Sequence, residues 1–261
     1  MSQRRNSRSL TARSVLLSVL LGTDPPHLPV RVLVRTTELF GIAEGTTRTA
    51  LSRMAAAGEV EADDGSYALA AGRLLARQAR QTASRAAHTR PGWDGAWVQA
   101  VVGAPGVRRT AADRATLRAE LTGARLAELR EGVWLRPDNL GEGPGGADGG
   151  APDVRWFRTF PTDDGPALAG QLWDLAGWAT GADELRDRMA TLVEPLEAGD
   201  RGSLRDGFVL SAAVLRHFQL DPLLPGELLP PGWPGDALRK DYDRYDDAYR
   251  RLLGDWLRDH G

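Results

Sequence analysis

Apolar residues in the first part of the chain recur at helical spacing, and glycines punctuate them. Ser14–Leu21 is almost wholly apolar and is halted by Gly22 and the Pro25-Pro26 pair, which predicts a first helix. Val30, Leu33, Val34 and Thr37 follow the i, i+3, i+4, i+7 pattern of a second helix over Val30–Phe40, closed by Gly41. A short turn through Ile42 and Ala43 leads to a third over Glu44–Ala57, with Gly58 at its C′ position. Two strand-like runs, Val60–Ala62 and Tyr67–Leu69, flank the turn Asp63-Asp64-Gly65-Ser66. Helix, helix, turn, helix, hairpin is the order of a winged helix-turn-helix, and residues 1–90 are expected to form that domain.

The period then changes. Trp97–Val102 reads as a buried strand, Arg109–Thr122 as an amphipathic helix, and Arg125–Arg130 and Val133–Arg136 as strands around Glu131-Gly132. Residues 141–152 are so rich in glycine that a loop is expected there, and Val154–Phe160 returns as a strand. This order predicts a ferredoxin-like α+β domain over 91–160, with its second helix short or missing. Residues 161–261 are expected to be a helical domain, with helices over Ala167–Thr180, Ala182–Gly199, Gly207–Gln219 and Ala237–His260. A stiff proline-rich connection from Asp221 to Gly235 separates the last two. The fold class expected is a multidomain α+β protein.

Charge sharpens this division. The formal net charge is only -2, yet residues 1–90 carry thirteen Arg against seven Asp or Glu, a net of +6, and the remainder nets -8. A basic N-terminal module on an acidic body suits attraction of one end to a polyanion. There is no cysteine, which excludes disulfides, thiolate metal sites and a cysteine nucleophile. Arg4, Arg5, Arg8 and Arg13 before an apolar run superficially resemble a signal peptide. The run is short, no small-x-small cleavage site follows, and it is far too short to span a bilayer. It is therefore expected to be the first helix of a cytoplasmic protein without a membrane partner.

Candidate chemistry concentrates on the third helix. Thr47, Ala50, Leu51 and Met54 fall on one face, suited to packing against the first two helices. Thr46, Arg48, Thr49, Ser52 and Arg53 form the candidate DNA-binding surface. Arginine can bind guanine O6 and N7 bidentately or grip phosphate, and the hydroxyls suit phosphate or base edges. The acidic hairpin tip Asp63-Asp64 is expected to stand clear of DNA. No catalytic motif, cofactor fingerprint or metal-ligand spacing occurs, and the four histidines are scattered, so no enzyme, cofactor or metal is expected. For a ligand, Trp173, Trp178, Phe218 and Trp233 are suited either to wall an apolar cavity or to be plain core. Arg216 and His217 are suited to meet phosphates or a carboxyl. The stripe Tyr242, Tyr245, Tyr249, Leu252, Leu253 and Trp256 suits either intramolecular core or a dimer contact.

The pattern Leu39-Phe40-Gly41-Ile42 … Thr47-Arg48-Thr49-Ala50-Leu51-Ser52-Arg53-Met54 … Gly58 resembles the N-terminal domain of the PaaX-type repressors of phenylacetic acid catabolism. Gly132-Val133-Trp134-Leu135-Arg136-Pro137 resembles the central domain of that family, with Trp97 in its opening strand. The segment from Asp221 to Gly235 resembles its most specific C-terminal signature, with Leu172-Trp173-Asp174-Leu175 before it. The resemblance implies a winged helix, a central Cas2-like domain and a helical C-terminal domain. It implies a homodimeric transcriptional repressor on a palindromic double-stranded DNA operator, released by an aryl- or acyl-CoA effector. It also places Arg48 and Arg53 on the recognition helix. A Cas2-like nuclease is not expected, because Trp97–Val102 carries no carboxylate to hold a metal. The competing class is a ligand-binding or protein-interaction module that does not bind specific DNA.

Overall fold

The computed structural model describes residues 11–23, 25–70, 72, 89–90, 92–103, 109–140 and 153–260. Arg4, Arg5 and Arg8 lie outside the described residues, as do the glycine-rich loop over 141–152 and the question of a second central helix. The chain divides into two units. One comprises the chain up to Thr82 with Arg186–Ala213 and Lys240–Gly261; the other comprises Ala83–Leu185 and Val214–Arg239.

In the first unit, α1 (Ala12–Gly22) starts at Thr11, which forms a reciprocal capping box with Ser14. β1 (His27–Pro29) leads directly into α2 (Val30–Leu39), and α3 (Glu44–Ala56) follows a short turn. β2 (Val60–Asp63) and β3 (Ser66–Leu69) form the expected hairpin. Its tip residues Asp64 and Gly65 both have positive φ, the backbone that a two-residue hairpin needs to match strand twist. β1, which the sequence pattern did not reveal, pairs antiparallel with β3, so the sheet order is β1-β3-β2. Leu16, Leu20, Leu33, Leu51, Met54, Val60 and Leu69 form one apolar core beneath the three helices and the sheet.

The first unit also receives three helical segments from the C-terminal half. They come from α6 (Leu175–Glu197), α7 (Leu204–Gln219) and α8 (Gly235–His260). The aromatic and leucine stripe of α8 is buried within the single chain, from Tyr242 and Tyr245 to Trp256. Of the two roles open to it, it therefore fills that of intramolecular core. Tyr242 shares a hydrogen bond with Ser211, and the Tyr245 hydroxyl donates to the Gly207 carbonyl. A Cβ at Gly207 would stand 2.8 Å from the Tyr249 ring, so glycine is what admits α8 to this depth.

In the second unit, β4 (Trp97–Val102), β5 (Ala127–Arg130), β6 (Val133–Pro137) and β7 (Val154–Thr159) make an antiparallel sheet of order β5-β6-β4-β7. β6 lies between β4 and β5, which α4 (Ala111–Gly123) connects, as in a split β-α-β unit. Alternation along each strand gives the sheet two faces. Ala100, Trp134 and Val154 pack with Leu117, Leu121 and Leu126 on the α4 side. Trp97 and Leu135 pack with Leu168, Ala169, Leu175, Leu224 and Leu228 on the other.

The helices expected over Ala167–Thr180 and Ala182–Gly199 require correction. α5 (Gly165–Leu172) ends where Trp173 turns extended, with φ -131°. The Asp174 carboxylate then accepts from the Gly177 N–H and starts α6, which runs through Gly181 without a break. Gly181 is a contact residue rather than a stop, because a Cβ there would lie 2.9 Å from the His217 ring. The proline-rich connection holds one 3-10 turn, Gly226–Leu228, and contributes Leu224 and Leu228 to the core.

Candidate functional site

α3 separates its residues by face. Thr47, Leu51 and Met54 are buried, whereas Thr46, Arg48, Thr49, Ser52 and Arg53 are exposed on its outer surface. Thr47 is held by its hydroxyl, which shares a 2.6 Å hydrogen bond with Thr37 of α2 in the core. That pair fixes the rotation of α3 about its axis relative to α2. Each hydroxyl also has a backbone acceptor within reach, Val34 for Thr37 at 2.8 Å and Ala43 for Thr47 at 3.3 Å, so both buried polar groups are satisfied. On the outer face, the Thr49 hydroxyl donates to the Gly45 carbonyl at 2.8 Å, and Arg48 pairs with Glu44 one turn earlier at 2.7 Å. Both members of the ion pair are more than half exposed, so it is worth only about 0.2–1 kcal/mol and leaves the guanidinium available to another acceptor.

The turn before α3 is anchored as well. Phe40, 3% exposed, meets Phe208 of α7 with ring centroids 4.9 Å apart. This contact between a residue preceding the candidate helix and one far along the chain had no periodic signal in the sequence. Asp63 and Asp64 at the hairpin tip are exposed, together with Glu61 on β2. Three carboxylates on this hairpin make a poor surface for phosphates.

The candidate ligand residues separate into three places. Trp178 is sandwiched between His217 and Trp233, with both centroid distances 4.5 Å. Its indole N–H donates to the His217 carbonyl at 3.2 Å, while the imidazole Nε2 lies 3.0 Å from the Trp178 carbonyl. Trp173 stacks instead on Trp97, 6.4 Å away, and Arg216 is exposed. A cavity in the second unit is lined by Trp93, Trp97, Leu168 and Leu228, with Asp163 and Glu227 among its other residues. It includes none of the six candidate ligand residues, and its carboxylates disfavour phosphate groups.

Burial holds the His217 imidazole below its ordinary pKa, against smaller opposing effects from the Trp178 carbonyl and Asp221. His217 is therefore a neutral ring within a stack rather than a ready cation. Since the folded state disfavours its proton, the stability linked to His217 is full above about pH 6.5 and declines below it, toward the lowered folded value. Thermal melts at pH 7.5 and 5.5 are expected to show a smaller acid loss for His217→Gln than for the native chain. Equal losses would remove His217 as a contributor.

Among the described residues, no group of three His, Asp or Glu is placed to hold a metal ion, and no helix is long and apolar enough to cross a membrane.

Residues 11–72 match the family described as PaaX-like protein, 90–143 the PaaX protein central Cas2-like domain, and 173–257 the PaaX-like protein C-terminal domain. No curated protein matches the chain. Among solved structures, an uncharacterised protein, Rv0674 from Mycobacterium tuberculosis, is similar. It is 41% identical, with 94% of this chain and 99% of that one covered and a TM-score of 0.74. With all three regions matched in order, the chain belongs to the PaaX-like family.

Proposed function

We propose that the protein is a DNA-binding transcriptional regulator, a repressor that binds a palindromic operator as a homodimer. α1–α3 with the β1-β3-β2 sheet act as a winged helix-turn-helix, with α3 as the recognition helix. The observation that carries this reading is the division of α3: a buried face keyed by Thr37 and Thr47, and an outer face of two arginines and three hydroxyls. Arg48 and Arg53 supply contacts to phosphate or guanine, and Thr46, Thr49 and Ser52 supply hydrogen bonds of either kind. Two such helices must stand about one DNA turn, ~34 Å, apart to read two half-sites.

An effector acts by favouring one of two dimer states, in proportion to its differential affinity for them. Family membership supports an aryl- or acyl-CoA thioester as that effector, in keeping with phenylacetic acid catabolism. α7 is a suitable transmitter, since it carries both Phe208, which meets Phe40 before α3, and His217 of the tryptophan stack. The acidic hairpin favours the competing reading, an interaction module without specific DNA binding, and one experiment separates the two.

Fluorescence anisotropy would compare DNA from upstream of the gene with a scrambled duplex at ~150 mM salt, because affinities at low salt report mainly phosphate attraction. Preference for the native duplex, lost on adding phenylacetyl-CoA, is the expected result; equal binding to both duplexes would favour the interaction module. Arg48→Ala is expected to cost about 1–3 kcal/mol of operator binding if the side chain reads a base. Unchanged affinity in that variant would take Arg48 out of the interface.

A further inference from the structure

The cavity of the second unit, about 280 Å³, combines an aromatic corner with charges of one sign. Trp93 and Trp97 make the corner. They meet edge to face, with ring centroids 6.3 Å apart and planes at 75°. Trp97 belongs to the core, whereas Trp93 is half-buried and held in place by its own turn. Its indole N–H donates to the Ala96 carbonyl at 2.6 Å, and the Ala96 N–H donates to the Asp94 carboxylate at 3.1 Å. Gly92 and Gly95 both take positive φ to close that turn. The aromatic wall is therefore set before any ligand arrives, which spares the cost of ordering it on binding.

Asp163 and Glu227 are the charged side chains of the lining, and among the described residues no arginine, lysine or histidine joins them. Both are exposed, and neither has a hydrogen bond or ion pair among the described residues. Neighbouring carboxylates are already engaged. Asp94 and Asp138 both pair with Arg158, and the Asp164 carboxylate accepts from the Ala167 N–H at the start of α5. With that cap in place, and Pro166 lacking an N–H, the α5 terminus offers little to an anion. A cation, by contrast, gains from both carboxylates and from the indoles, whose faces attract positive charge. Walls of indole, leucine and proline accept no hydrogen bonds, so a cation with few N–H groups suits them best.

We propose that this cavity binds a small alkylated ammonium ion, its alkyl groups against Trp93 and Trp97 and its charge balanced by Asp163 and Glu227. Pockets for drug-sized ligands span roughly 300–1,000 Å³, so the volume suits an ion of about the size of choline. The site shares no residue with the Trp178 stack, and it stands apart from the regulator reading, since its test needs no DNA.

Isothermal titration calorimetry of the full chain uses choline as the probe, at ~150 mM sodium chloride to screen diffuse attraction. The control is its neutral carbon analogue, in which a tert-butyl group replaces the trimethylammonium. Choline is expected to bind, and the neutral analogue to bind more weakly by about ten-fold or more. Trp93→Leu keeps apolar bulk without an indole face and is expected to weaken choline by about ten-fold. Asp163→Asn combined with Glu227→Gln is expected to weaken choline by about three- to ten-fold and to leave the neutral analogue unchanged. Trp178→Phe, in the other aromatic grouping, is expected to leave choline binding intact. Circular dichroism matching the native chain checks that each variant folds; should Trp93→Leu fail, the exposed double variant decides. Absence of choline binding, equal affinity for the neutral analogue, or unchanged affinity in a folded Trp93→Leu or in the double variant would each overturn the inference. So would a loss through Trp178→Phe as large as that through Trp93→Leu.

Discussion

Asp221→Ala is expected to destabilise the second unit by about 3–5 kcal/mol, the cost of leaving one member of a buried ion pair without its partner. The Asp221 carboxylate is almost fully buried and accepts from Arg239 at 2.6 Å. Its other oxygen accepts from the Leu223 N–H at 2.9 Å, and Leu223 has φ +54°, a left-handed backbone unusual for leucine. Two further contacts hold the same segment. The Asn139 side-chain amide donates to the Leu223 carbonyl at 2.7 Å, and Arg125 donates to the carbonyls of Phe218 and Gln219 at the end of α7. Arg239 also lies over the Phe218 ring. Alanine at 221 would remove the carboxylate partner of the guanidinium and release the left-handed turn together. For a chain of this size the melting temperature is expected to fall on the order of 10 °C. A pair of apolar replacements at 221 and 239 should recover part of the loss, because removing both charges removes the desolvation cost. Differential scanning calorimetry of the three proteins decides the matter. An Asp221→Ala transition at the native temperature would show that the pair contributes nothing net.

Trp178→Ala is expected to cost a similar 3–5 kcal/mol, through the cavity left between two parallel neighbours. Its two ring faces are occupied by His217 and Trp233, and its N–H is satisfied by the His217 carbonyl. Trp178→Phe keeps an aromatic filling and loses mainly the hydrogen bond, so about 1 kcal/mol is expected. The alanine variant should also return the His217 pKa toward 6.5, because the ring that buries it is gone. NMR titration of the imidazole checks that shift, and urea denaturation checks the stability. If alanine at 178 leaves the His217 titration unmoved, the stack is not the source of its depressed pKa. Operator binding measured well below the unfolding transition adds a functional reading. Full affinity with the effector response lost would tie the stack to ligand sensing.

Much of the first unit was legible in the chain. The α3 face that carries Arg48 and Arg53 followed from helical period alone, since an apolar stripe of Thr47, Leu51 and Met54 leaves only one surface for the rest. Gly58 and the Asp64-Gly65 turn were legible because each needs a positive φ that few residues tolerate. β1 was not. It has three residues, ends in Pro29 and shows no alternation, and it exists because β3 offers it a pairing edge. The break at Trp173 was misplaced at Gly181. The local signal was Asp174 as an N-cap, while the reason for a glycine at 181 lies in the close approach of His217, 36 residues away.

The grouping of the ligand candidates shows the same boundary. Trp178 and His217 were named from composition and do meet, but Trp173 went to Trp97, a contact across 76 residues. The Phe40–Phe208 and Asp221–Arg239 contacts likewise join residues with no shared period.

By itself the sequence determined what depends on neighbours within a turn or two. This covers the helices and their exposed faces, the hairpin, the strand alternation and the basic bias of the first ninety residues. Only the tertiary structure decided which buried groups satisfy each other, such as the Thr37–Thr47 hydroxyls and the Asp221 carboxylate with its guanidinium. It also decided that the aromatic stripe of α8 is core. The physical reason is that periodicity reports only that a side chain avoids water. The partner it finds is set by loop closures and packing among segments that the chain brings together after its local structure has formed.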